Sequence, residues 1–186
     1  MTKVNRFNRN YRGFTLLEVL TAMLILSIGI MGALKMQLYS LQTAQDAKFS
    51  LAATRLALEL ADEMRSNHEQ SRRINTNPFV KINFQANKDI VDTSGTCFND
   101  NCNPEQLAQA DIAEWLTKLS TALPNARAAV CSDDTPWNAT TGTFTWDCSA
   151  AGPQPSTIIK VGWKTNDDTR QNSPPRIAIA VTANPD

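Results

Sequence analysis

Residues 14–34 of this chain form an apolar run of 21 residues that holds a single charge, Glu18. As a helix rising about 1.5 Å per residue the run measures roughly 31 Å, the thickness of a bilayer's hydrocarbon core. A helix this apolar must be shielded by lipid or by other apolar surfaces, and that requirement governs what the rest of the chain can do. The thirteen residues before it carry Lys3, Arg6, Arg9 and Arg12 and no acid. Basic flanks stay on the cytoplasmic side, so the leader is expected inside and everything beyond Leu34 outside. A carboxylate at the centre of such a helix costs on the order of 2.5–3.5 kcal/mol on insertion scales, so Glu18 calls for a compensating partner.

A secretory signal places a small-residue cleavage site after its apolar stretch. Here Lys35-Met36-Gln37-Leu38 follow, and they offer none. The small residue is Gly13, ahead of the run. Cutting after it removes only the basic leader, retains the apolar helix and frees an amine on Phe14. That amine lies four residues before Glu18, near the same helix face, so the two charges can pair within a chain or between neighbours.

The segment Gly13-Phe14-Thr15-Leu16-Leu17-Glu18-Val19-Leu20 resembles the prepilin peptidase site of type IV pilins and type II secretion pseudopilins. The following residues, 21–32, are similar to those of a minor pilin. The resemblance covers about the first fifth of the chain. It implies cleavage after Gly13, N-methylation of Phe14, and a role for Glu18 in attracting the N-terminal amine of an adjacent subunit during assembly. It also implies the partners: prepilin peptidase, other minor pilins, the major pilin and the inner-membrane assembly machinery. The expected location is the inner membrane, single-pass with the C-terminal domain in the periplasm, and then the pilus base or tip. Two plainer readings stand beside it. Residues 14–34 could be a simple anchor with Glu18 snorkelling to the interface. Gly29 and Gly32 could serve close helix packing or local bending.

Three segments follow from this reading: a leader at 1–13, a membrane and assembly helix at 14–34, and an exported domain at 35–186. Without the leader, 14 basic residues face 18 acids, a net charge of about −4. Nucleic-acid surfaces carry clustered positive charge, so no nucleic acid is expected as a partner. Arg65, Arg72 and Arg73 do cluster, but near a helix end, where cations complement the dipole.

From Lys35 to Asn67 there is neither Pro nor Gly. Phe49, Ala52, Ala53, Leu56, Leu60 and Met64 recur on one helical face. The spacing predicts one helix over about 14–70, its outer half packed on the domain, with a free coiled coil as the rival. Residues 71–95 read as a polar linker anchored by Phe79, Ile82 and Phe84, with a short strand possible there. Asn103-Pro104 reads as an N-cap followed by Pro at the first helical position, with Pro124 as the stop. That second helix carries Trp115 as a core anchor. Beyond it the period becomes two, predicting strands at 126–131, 143–147, 157–164 and 176–182. The expected fold is α+β: a long N-terminal helix packed on an antiparallel sheet, as the pilin resemblance also implies.

Cys97, Cys102, Cys131 and Cys148 make an even set in a chain expected to be exported, which suggests disulfides. Three pairings are possible; Cys97 with Cys102 and Cys131 with Cys148 are preferred because each brackets a short polar loop. No metal is expected: there is no C-x2-C pair and His68 stands alone. No cofactor and no catalytic residues are expected either, since no nucleophile, phosphate-loop or metalloprotease pattern occurs. The adjacent acids Asp133 and Asp134 read as a solvated loop pair. The composition therefore fits an assembly subunit that is an enzyme's substrate. The alternatives are a type II secretion pseudopilin, or a pilus-displayed adhesin or DNA-uptake module using Trp137, Trp146 or Trp163.

Overall fold

The computed structural model describes residues 13–73, 76–91, 97, 101–150, 156–165 and 173–181. Residues 1–12 of the leader lie outside them. The chain divides into two compact units, one ending at Gln45 and the other starting at Asp46.

In the first unit, every described residue from Gly13 to Gln45 is exposed and helical from Leu16 onward. This is part of helix α1, Leu16–Ser66. Thr15 opens it: its carbonyl accepts from the Glu18 and Val19 amides, and its hydroxyl accepts from Glu18 N at 3.3 Å. That cap satisfies donors the first turn would otherwise leave orphaned.

The second unit is built on the remainder of α1. Ala53, Leu56, Ala57, Leu60, Ala61 and Met64 are buried, the i/i+3/i+4 pattern of one face. Three of the six are alanines at four-residue intervals, which keeps that face narrow. Each buried Leu contributes about 1.5–3 kcal/mol of hydrophobic stabilisation. α1 stops at Ser66, not near residue 70. Asn67 leaves helical geometry at φ −99°, ψ 50°, and a separate turn of helix, α2, His68–Ser71, follows. The Ser71 hydroxyl donates back to the Met64 carbonyl at 2.6 Å, ending α1 without Gly or Pro.

Helix α3, Pro104–Ala122, begins with a full capping box. Asn103 Oδ1 accepts from Gln106 N at 2.9 Å, and Gln106 Oε1 accepts from Asn103 N at 3.0 Å. Trp115 is fully buried on its inner face, and its Nε1 donates to the Leu56 carbonyl at 2.7 Å. One bond therefore fixes α3 against α1 and satisfies an indole that burial would otherwise leave unpaired.

The polar segment after α2 holds more structure than a linker. A 3-10 turn, Phe79–Lys81, leads into strand β1, Asn83–Gln85. Strands β2, Arg127–Ser132, β5, Thr157–Gly162, and β6, Ile177–Val181, complete an antiparallel sheet in the order β1-β2-β5-β6. Between β2 and β5, a separate two-stranded hairpin is made by β3, Trp137–Asn138, and β4, Thr143–Phe144. The strand expected over 143–147 is thus only two residues long. The fold is α+β, with the long helix and α3 sharing one core with the sheet's inner face. Phe84, Ala128, Val130, Ile159 and Val161 supply that face.

Candidate functional site

At the front of the chain, Gly13 and Phe14 are exposed just ahead of α1. A side-chain carbon added at Gly13 would meet nothing within 4 Å. Nothing in the described structure requires glycine there. A side-chain carbon at Gly29 or Gly32 would likewise meet nothing within 4 Å. Glu18 is exposed in the first turn of α1, where an acid favours the positive end of the helix dipole. It makes no ion pair among the described residues. The helix that carries it is long and apolar enough to cross a membrane.

The cysteines are joined as Cys97–Cys102 and Cys131–Cys148, with Cα–Cα separations of 5.8 and 6.0 Å. The second bridge closes the loop holding the β3–β4 hairpin, and the start and end of that loop are fastened to the outer face of the sheet. Asp133, read from sequence as solvated, is fully buried, as is Lys160 of β5. Lys160 Nζ donates to Asp133 Oδ2 at 2.5 Å and to the Asp147 carbonyl. Asp133 Oδ1 accepts from Thr135 N at 2.9 Å and Ser149 N at 3.4 Å. A buried charge needs this density of partners, because either ion alone would carry a desolvation penalty of several kcal/mol. Asp134 is exposed, and its amide donates to the Ser149 carbonyl.

Farther along the same face, Gln85, Arg127 and Gly162 form one rung across β1, β2 and β5. Trp146 lies over this rung. Its ring centroid is 4.1 Å from the Arg127 guanidinium carbon, and its Nε1 donates to the Ser173 carbonyl at 2.7 Å. A side-chain carbon at Gly162 would fall 2.8 Å from Trp146 Cζ2, so this close approach requires glycine. Burial lowers the Arg127 pKa from its ordinary value. Trp163 belongs to the core, with Arg176 4.9 Å from its ring, whereas Trp137 is half exposed and packs edge-on against Phe144.

A third cluster lies between α1 and α3. Glu63 is pushed up to about 7 by burial first, then by Asp111 and Glu59. Burial, then Glu114, raises Asp111 as well. Lys118 bonds Glu59 at 2.7 Å and Glu114 at 2.9 Å, and these hydrogen bonds raise its own pKa. Arg65 pairs with Asp62 at 2.6 Å, and Arg73 with Glu69 and Glu105 at 3.6 and 3.8 Å. These arginines are engaged locally, near the ends of α1 and α2.

With the geometry of the N-terminal segment in place, comparison with known proteins decides how it is read. Residues 8–34 match the family model for the prokaryotic N-terminal methylation motif. No curated protein and no solved structure matches the chain. The motif is the signal of a type IV pilin-like or pseudopilin substrate of prepilin peptidase. It marks a structural subunit rather than an enzyme, anchored to a membrane through its N-terminal apolar helix.

The two lysine and glycine features of the outer sheet face escaped the sequence reading. A signal for them was present. Lys160 and Gly162 occupy alternate positions in Thr157-Ile-Ile-Lys-Val-Gly, opposite in phase to Ile159 and Val161. A charge and a glycine on the same strand face mark a covered surface with specific contacts.

Proposed function

We propose that this protein is a minor pilin of the type IV pilus, of the kind called PilV or type IV pilus modification protein, which takes part in initiating pilus assembly. Its leader, 1–13, is removed by prepilin peptidase and the new amine on Phe14 is methylated. Residues 14–34 then pack among apolar helices of other minor pilins and the major pilin, while residues 35–186 form the exported domain. The observation that carries this reading is the methylation motif at 8–34, joined to a glycine at 13 that the fold itself does not require.

Glu18 is the assembly residue. In a low-dielectric setting its carboxylate is stabilised by the Phe14 amine of an adjacent subunit, which draws that subunit into axial register as the helices pack. The test compares Gly13→Val and Glu18→Ala. Gly13→Val should leave full-length precursor in the membrane, read by mass spectrometry. Glu18→Ala should be cleaved normally yet be depleted from sheared pili on blotting. Normal incorporation of Glu18→Ala would reduce the carboxylate to a snorkelling interfacial residue. Gene deletion separates pilin from pseudopilin: loss of surface pili supports this reading, whereas loss of an exported enzyme with pili intact assigns the chain to type II secretion.

A further inference from the structure

We infer that Thr15 is a positioning residue for leader removal. Its cap makes α1 begin at Leu16, and this holds the Gly13–Phe14 peptide bond outside the helix, where a peptidase can seat it. The inference rests on the reading of this chain as a prepilin peptidase substrate cut after Gly13. It adds the feature of the chain that keeps that bond open.

Two demands compete over these few residues. Phe14, Leu16 and Leu17 open the apolar run, and in hydrocarbon a backbone N–H without an acceptor is costly. Helix is therefore favoured as far toward the N-terminus as the run reaches. Hydrolysis needs the opposite: the carbonyl of Gly13 must be free to be attacked and the Phe14 nitrogen free to leave as an amine. If α1 began at Phe14, Gly13 would be its N-cap. The carbonyl of an N-cap accepts the first intrahelical bond, so the Leu17 amide would take up the group the enzyme must reach.

The structure shows the helix stopped short of this. Gly13, Phe14 and Thr15 lie outside helical geometry. The first carbonyl drawn into α1 is that of Thr15, which accepts from the Glu18 amide at 3.0 Å and the Val19 amide at 3.3 Å. Among the described residues no amide bonds the carbonyl of Gly13 or Phe14. Thr15-Leu16-Leu17-Glu18 has the spacing of a capping box, and its threonine half is made: the Thr15 hydroxyl accepts from the Glu18 amide at 3.3 Å. Phe14 has no side-chain acceptor, so Gly13 is the next residue back that serves as an N-cap. Without the Thr15 hydroxyl the cap passes to Gly13 and the bond to be cut enters the first turn.

The test uses the full-length precursor in detergent micelles with prepilin peptidase, following leader loss by mass spectrometry over a range of precursor concentrations. Thr15→Ala and Thr15→Val remove the capping oxygen, although Val keeps the shape of Thr. Thr15→Ser and Thr15→Asn keep a capping oxygen, although Asn changes the shape. Ala and Val should raise KM about three- to fivefold with kcat unchanged, because they reduce only the fraction of precursor whose bond is open. Ser and Asn should stay within about twofold of the parent. The Phe14 Cα chemical shift should move toward the helical range in the Ala and Val variants alone. The inference is overturned if Val is cut like the parent while Asn is cut poorly, since the peptidase would then be reading the shape of Thr15. It is also overturned, by itself, if the parent is cut after Gly13 and the Ala and Val variants are cut equally well. A parent not cut after Gly13 overturns the processing reading and this inference with it.

Discussion

Replacing Lys160 by Met should be among the most damaging single changes in the domain, and the structure says why. Lys160 is fully buried and donates to two oxygens, Asp133 Oδ2 and the Asp147 carbonyl. Methionine fills similar volume and keeps the apolar stem. The loss is therefore electrostatic: Asp133 remains fully buried with one oxygen stripped of its cation. Removing one member of a buried pair typically costs about 3–5 kcal/mol. The Thr135 and Ser149 amides still serve the other oxygen, so the expected cost is at the lower end, about 3 kcal/mol. Against a typical stability of about 5–15 kcal/mol that is a large fraction, and it corresponds to a midpoint drop of roughly 10 °C. Urea unfolding of the full chain in detergent, followed by circular dichroism, measures it. The decisive comparison is the double variant Asp133→Leu with Lys160→Met, which removes both charges. It should recover at least about 2 kcal/mol relative to the sum of the single changes. A cost below about 1 kcal/mol for Lys160→Met, or strictly additive variants, would refute the argument that the pair is coupled and dry.

Glu63 gives a pH dependence of defined sign. Its pKa rises from 4.5 in the unfolded chain to about 7 in the fold, so the folded state binds the proton more tightly. Its contribution to stability is fully present below 4.5 and is lost as pH climbs through 7. Glu63→Gln should therefore be more stable than the parent at pH 8, by about 1–2 kcal/mol after allowing for solvent screening, with the difference vanishing near pH 4.5; paired urea titrations check it. Cys131→Ser together with Cys148→Ser opens a loop with a sequence separation of 17. That should cost about 3 kcal/mol in the chain-entropy model, seen as a lower urea midpoint than the parent's in the absence of reductant. Gly162→Ala should displace Trp146 and cost about 1–3 kcal/mol through overpacking, with a change in near-UV circular dichroism as its signature.

How much of this was legible beforehand varies by element. Strong periodicity revealed α1 and α3, and the Asn103-Pro104 start was readable because capping is a local interaction. Strands β2, β5 and β6 followed from alternation. The end of α1 was placed too late, because the Ser71 hydroxyl that turns back to Met64 is an interaction of the folded segment, invisible to propensity. Strand β1 was only suggested, since three residues between polar stretches acquire their conformation by pairing with β2. The N-terminal motif around Gly13, Phe14 and Glu18 was read from its letters, and residues 8–34 match the methylation-motif model. The ion pair of the outer face was not read in this way. Asp133 was read as solvated because its partner, Lys160, lies 27 positions away, and only the sheet brings them together.

That pairing also bears on how the sheet finds its alignment. Strand β5 consists of Thr157-Ile-Ile-Lys-Val-Gly, and its apolar side chains offer little to distinguish one offset against β2 from the next. A slip of one residue would turn Lys160 toward the layer occupied by Val130 and Ile159, leaving an ammonium among hydrocarbons and Asp133 without its cation. A slip of two would keep the lysine on the correct side but carry it roughly 7 Å along the strand, beyond reach of its acceptors. The oxygens of Asp133 and Asp147 flank the two ends of a covalently closed loop that precedes β5 in the chain. The loop therefore acts as a gauge: it accepts the following strand at one offset and rejects its neighbours.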